Sequence, residues 1–154
     1  MKSINDWLNE YGESHQNPTN KLVHWICVPA IFFSVVGLFY GIKLGTPVAA
    51  GIELNVAMVL LLLVFLYYLR LSPTLAAGML LFSALCLFLA QRIEASGWTL
   101  WLVCLGVFTA AWIGQFWGHK VEGKKPSFLK DLQFLMIGPA WLLSFIYAQL
   151  GIRV

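Results

Sequence analysis

Residues 71–91 read LSPTLAAGMLLFSALCLFLAQ, an uncharged run long enough for one helix to cross a bilayer. About 30 Å of hydrocarbon needs about 20 apolar residues in a helix, and this stretch meets that length unaided. Working outward, four more such stretches appear, at about 25–42, 47–69, 98–118 and 132–151. Only the second holds a charge, Glu53, which stands with Asn55 near its start and so belongs to an interface rather than to a buried relay. Arg92, Glu94 and the Ser96-Gly97 turn separate the third and fourth. Composition agrees: 60% of the 154 residues are apolar, 11% are charged and the mean hydropathy is +0.78. Soluble domains carry about a quarter charged residues.

The fold class expected is all-α, a polytopic transmembrane helical bundle of about five membrane helices preceded by an N-terminal interfacial amphipathic helix, in one domain over 1–154. In residues 1–23, Ile4, Trp7, Leu8 and Tyr11 fall on one stripe, and Ser3 with Asp6 has the pattern of a capping box. Lys2, Asp6, Glu10, Glu13 and Lys21 give that segment none of the character of a secretory signal, so it is expected to be retained. Asn17-Pro18 breaks the first helix, and Asn20 is placed to cap the next. Cys27, Cys86 and Cys104 are odd in number and sit in apolar runs, as small hydrophobes do rather than disulfide partners or metal ligands.

Alternating spans gather the N-terminal segment, the Arg70 turn and the 119–131 loop on one side, side A. It holds Lys2, Lys21, Arg70, Lys120, Lys124, Lys125 and Lys130, against Lys43, Arg92 and Arg153 opposite, so side A is expected to face the cytoplasm. Side A also holds every histidine: His15, His24 and His119. One histidine at an interface is an ordinary surface residue, but three on one face suit a metal. Gln115, His119 and Glu122 fall at i, i+4 and i+7 on one helix face, which offers Glu122 as a carboxylate ligand or a solvated charge, and Gln115 as a partner orienting His119. Asn17 and Asn20 serve the turn and cap, or bind substrate. Lys21, Lys124 and Lys125 would draw anions to the site. Pro29 and Pro139 break helices near side A and free backbone carbonyls around a polar pocket.

The stretch from His15 to His24 (HQNPTNKLVH) with Val28-Pro29, the stretch from Trp112 to His119 (WIGQFWGH) with Glu122 and Pro126, and Gly138-Pro139-Ala140 together resemble the 2-hydroxy fatty acid dioxygenase family, named for the metabolism of phytosphingosine to odd-numbered fatty acids. The resemblance covers nearly the whole chain. It implies an Fe(II)-dependent oxidoreductase of fatty acid alpha-oxidation, acting with dioxygen on a long-chain 2-hydroxy fatty acid, with His15, His24 and His119 as essential histidines and counterparts of the family's Gln and acidic residue in Gln115 and Glu122. It also implies a place in an endoplasmic reticulum membrane or a bacterial inner membrane. Rival readings are a small transporter that binds an ion at the same histidines, a structural membrane protein, and a zinc-dependent lipid hydrolase; zinc binds such sites more tightly than Fe(II). No nucleotide-binding glycine motif and no nucleic-acid partner is expected.

Overall fold

A computed structural model of the chain describes residues 2–49, 51–123 and 128–154, with side chains in the last stretch from residue 135 onward. Lys124 and Lys125 therefore lie outside the described residues, as does the side chain of Lys130. The elements follow the order α1 (Ile4–Glu13), α2 (Pro18–Tyr40), β1 (Lys43–Ala49), β2 (Ile52–Asn55), α3 (Val56–Leu71), α4 (Pro73–Ala95), α5 (Leu100–Glu122) and α6 (Phe128–Gln149). The predicted capping box starts α1: the Asp6 N–H donates to the Ser3 hydroxyl at 3.2 Å. In return the Ser3 hydroxyl and N–H, each 2.8 Å away, hold the Asp6 carboxyl below its ordinary value of 3.8. At the start of α2 the cap is Asn17 rather than Asn20. Pro18 takes the first helical position, where its missing N–H costs nothing, and the Asn17 side chain accepts from the Thr19 N–H at 2.9 Å. Asn20 is thereby released for another task.

All five expected apolar helices form. Among the described residues, three are long and apolar enough to cross a membrane: Pro18–Tyr40, Pro73–Ala95 and Leu100–Glu122. The second stretch begins differently from the expected 47–69. Strands Lys43–Ala49 and Ile52–Asn55 pair antiparallel, with Gly45 and Gly51 at φ near +73° and +74°, and helix α3 starts only at Val56. Pro47 lacks a helical donor, glycine loses most entropy in a helix, and Asn55 caps α3 by accepting from the Met58 N–H at 3.1 Å. Glu53 lies exposed in β2, three residues before α3 begins. Beside the hairpin, Lys43 bonds Glu94 at 2.9 Å and covers the Tyr40 ring, tying the far ends of α2 and α4 together.

Helix α6 takes an orientation that hydropathy alone does not reveal. The Met136 carbonyl accepts from the Tyr68 hydroxyl in the last turn of α3, while the Tyr147 hydroxyl donates to the Thr74 carbonyl in the first turn of α4. Those two targets flank the single residue Ser72 that separates the helices, yet the donors and acceptors on α6 are eleven residues apart, about 16 Å along its axis. Both halves of α6 therefore reach the adjoining ends of α3 and α4, and α6 crosses those helices obliquely.

The tightest seam joins α2 to α5. A Cβ on Gly118 would fall 2.5 Å from Asn20 Oδ1, and one on Gly114 would fall 2.6 Å from Cys27 Sγ. This Gly-x-x-x-Gly face lets two backbones approach where any side chain would hold them apart. Cys27, Cys86 and Cys104 are all buried free thiols, as their apolar settings predict.

Candidate metal centre

The seam fixes where α5 delivers His119 relative to α2. His24 sits one turn into α2 from Asn20, and His15 follows α1 directly after the Ser14 cap. All three imidazoles are buried, and each pair of ring centroids is separated by no more than 5.4 Å: 4.1 Å for His15 and His24, 5.2 Å for His24 and His119, 5.4 Å for His15 and His119. One donor nitrogen from each lies within 4.8 Å of the others.

Their protonation follows from their neighbours. His15 Nδ1 is 2.6 Å from the Tyr11 carbonyl, and His24 Nδ1 is 2.9 Å from the Asn20 carbonyl. A carbonyl can only accept, so each Nδ1 carries a proton, and in the neutral ring each Nε2 presents its lone pair. Those two Nε2 atoms stand 2.8 Å apart. With both rings neutral, facing lone pairs at that distance repel, and a cation shared by both, a proton or a metal ion, removes the repulsion. The buried Nδ1 of His119 has no hydrogen-bond partner among the described residues, so it too is an unused donor. Nitrogen ligands bind zinc at about 2.0–2.1 Å, so 2.8 Å lies within the span of one ion of that size. The donor set therefore fits a transition metal with three imidazoles and further positions left open.

Glu122 is brought to the site without joining this donor set. Its Oε1 accepts from the Gln16 N–H at 2.9 Å, and its Oε2 accepts from the Asn17 N–H at 2.9 Å and from Asn20 Nδ2 at 3.0 Å. It clasps the 14–20 turn to the end of α5, so its expected alignment with His119 is realised and its oxygens are spent on positioning. Gly123, at φ +73°, ends the helix immediately afterwards. Gln115 is buried one turn before His119 on the same face. Lys21 is half-buried in the first turn of α2, and Lys120 is exposed beside the centre.

Two aromatic residues escaped the reading of the sequence. Tyr11 stacks on His15 with centroids 4.2 Å apart and an interplanar angle of 9°, and Trp141 of α6 stands 5.5 Å from the same ring. Tyr11 was legible only as part of the α1 stripe. That stripe is sealed against α6, where a Cβ on Gly138 would come 3.1 Å from the Tyr11 hydroxyl oxygen. Gly138-Pro139 in the sequence was the available signal, since a glycine beside a helix-breaking proline marks a close approach.

Comparison with known proteins gives this arrangement a context. Residues 1–150 match the sequence model of a family described as Mpo1-like, 2-hydroxy-palmitic acid dioxygenase. The chain is 32% identical over 153 residues to the 2-hydroxy-palmitic acid dioxygenase MPO1 of Saccharomyces cerevisiae, an alignment covering 98% of this chain and 83% of the yeast protein. No solved structure matches.

Proposed function

Because the chain belongs to the Mpo1-like family of 2-hydroxy-palmitic acid dioxygenases, we propose that it is an Fe(II)-dependent membrane enzyme that shortens a long-chain 2-hydroxy fatty acid by one carbon. The observation that carries this reading is the pair of facing Nε2 lone pairs on His15 and His24, with the unpartnered Nδ1 of His119 close by. In this reading His15, His24 and His119 hold Fe(II), which supplies the redox chemistry with dioxygen and open positions for a chelating 2-hydroxy carboxylate. Tyr11 and Asn20, through their carbonyls, keep each Nδ1 protonated and each Nε2 available. Glu122 keeps the two histidine-bearing segments in register. Lys21, together with Lys124 and Lys125, draws the substrate carboxylate to side A, the cytoplasmic face in this reading.

The stoichiometry asks nothing further of the protein. One 2-hydroxy acid and one dioxygen become the acid one carbon shorter, carbon dioxide and water. The bond between C1 and C2 breaks, C2 is oxidised to a carboxyl group, and dioxygen takes up the electrons, so no external reductant is consumed.

The test supplies anaerobically purified protein with Fe(II), dioxygen and a long-chain 2-hydroxy acid, and follows products by mass spectrometry. The acid one carbon shorter should appear, and His24→Ala should remain at background. Equal product from both proteins would sink the reading. Activity with zinc and no dioxygen, releasing a hydrolysed lipid instead, would establish the hydrolase in its place.

A further inference from the structure

Between α2, α3 and α6 lies a cavity of about 470 Å³ that the histidine centre does not use. Its back wall is formed by the buried side chains of Phe32 and Val36 on α2, Ala57 and Leu61 on α3, and Ile137 on α6. Its front opens toward lipid, where Leu63 is 58% and Phe39 37% exposed. No charged residue lines it. From Tyr67 near side A to Ala57 at the far end it follows ten residues of α3, about 15 Å at 1.5 Å per residue. That is about half of a 30 Å hydrocarbon core, the depth one leaflet's acyl chains occupy. Its roof meets the metal centre: Ile137 and Trp7 line the cavity and also pack with Tyr11 and Trp141, the two rings set against His15.

Resting on the function proposed above, we infer that this slot holds the unbranched alkyl tail of the hydroxy acid while its polar head lies at the histidines, and that Ala57 and Phe39 at the deep end set the longest tail accepted. The tail enters sideways from the leaflet through the open front, so the amphiphile keeps the depth and direction it has in the bilayer. A tail too long for the slot must bend into lipid at the far end, and a bulkier side chain there shortens the limit. In apolar pockets one methylene changes discrimination by about 10–200-fold.

The experiment measures kcat/KM of the Fe(II)-loaded protein for a graded series of 2-hydroxy acids, for wild type, Ala57→Phe, Phe39→Trp and the lipid-facing control Leu81→Phe. Ala57→Phe and Phe39→Trp should lower the long-chain to medium-chain ratio by at least about tenfold, and Leu81→Phe should leave the ratio unchanged. Should Ala57→Phe fail to fold, Phe39→Trp at the half-exposed rim decides alone. A wild-type ratio in the folded variants would overturn the slot and leave the reaction standing. Binding is read separately, as quenching of indole fluorescence by a 2-hydroxy acid brominated near its head. If wild type turns over no 2-hydroxy acid, quenching that is reduced in Trp7→Phe would support the slot against a failed reaction, and absence of quenching would overturn it.

Discussion

Helix α2 has two flanks, built in opposite ways. Against α5 it meets glycine at 114 and 118, and a single added carbon would collide with Asn20 or Cys27. Against α3 and α6 it leaves a gap of about 470 Å³ walled by valine, phenylalanine and leucine. The closed flank fixes the positions of His24 and His119 relative to each other. The open flank is apolar and accommodates shape rather than fixing atoms. One helix thus separates rigidity for chemistry from room for a flexible ligand, and the two demands never compete for the same side chains.

That contrast can be broken first at the seam. Gly118→Leu forces α5 away from Asn20, carrying His119 with it; turnover should fall more than about 100-fold and bound iron should drop to the level of His24→Ala, measured by elemental analysis of purified protein. Glu122→Gln is the next largest. It removes a charge that accepts three N–H bonds and turns an amide donor toward them, so metal affinity should fall about 10–100-fold in a chelator competition, with helical content unchanged by circular dichroism. On the open flank the effect should be selective: enlarging Ala57 changes which acid is used, not whether iron binds. At the far end, Asn55→Ala removes the α3 cap and should lower stability by about 1 kcal/mol in thermal unfolding while leaving turnover within about twofold. The smallest effect is at α1. Because Ser3 depresses the Asp6 carboxyl in the folded protein, the contribution of the capping box is complete above 3.8 and is lost as pH falls through the lowered value. An NMR titration should find Asp6 below 3.8 in wild type and shifted upward in Ser3→Ala, with the remaining N–H of residue 3 still holding it down.

Much of this was legible in the sequence, and the failures share one cause. Hydropathy marks what an environment requires of a segment, so the apolar helices and the gathering of His15, His24 and His119 on side A could be read from charge-free runs and alternation alone. It does not register backbone geometry or direction. The 47–55 stretch is apolar enough for lipid, yet Gly45, Pro47 and Gly51 favour a hairpin there. The 132–151 stretch forms its helix, but its course across the bundle is decided by Tyr68, Thr74 and Gly78, residues far away in the chain. For Glu122, helical periodicity gave the correct face, and only the tertiary position of the 14–20 turn shows which donors its oxygens meet. Gly114 and Gly118 carried a visible spacing whose meaning depended on knowing that α2 was the partner.

The crossing of α6 also orders events in time. During synthesis His15 and His24 emerge first, long before His119 on α5, and Trp141, which closes the centre behind His15, comes nearly last. A ribosome that stops after α5 has released every imidazole but not the beam that covers them. Synthesis of α6 is therefore the step that covers the three-histidine cluster.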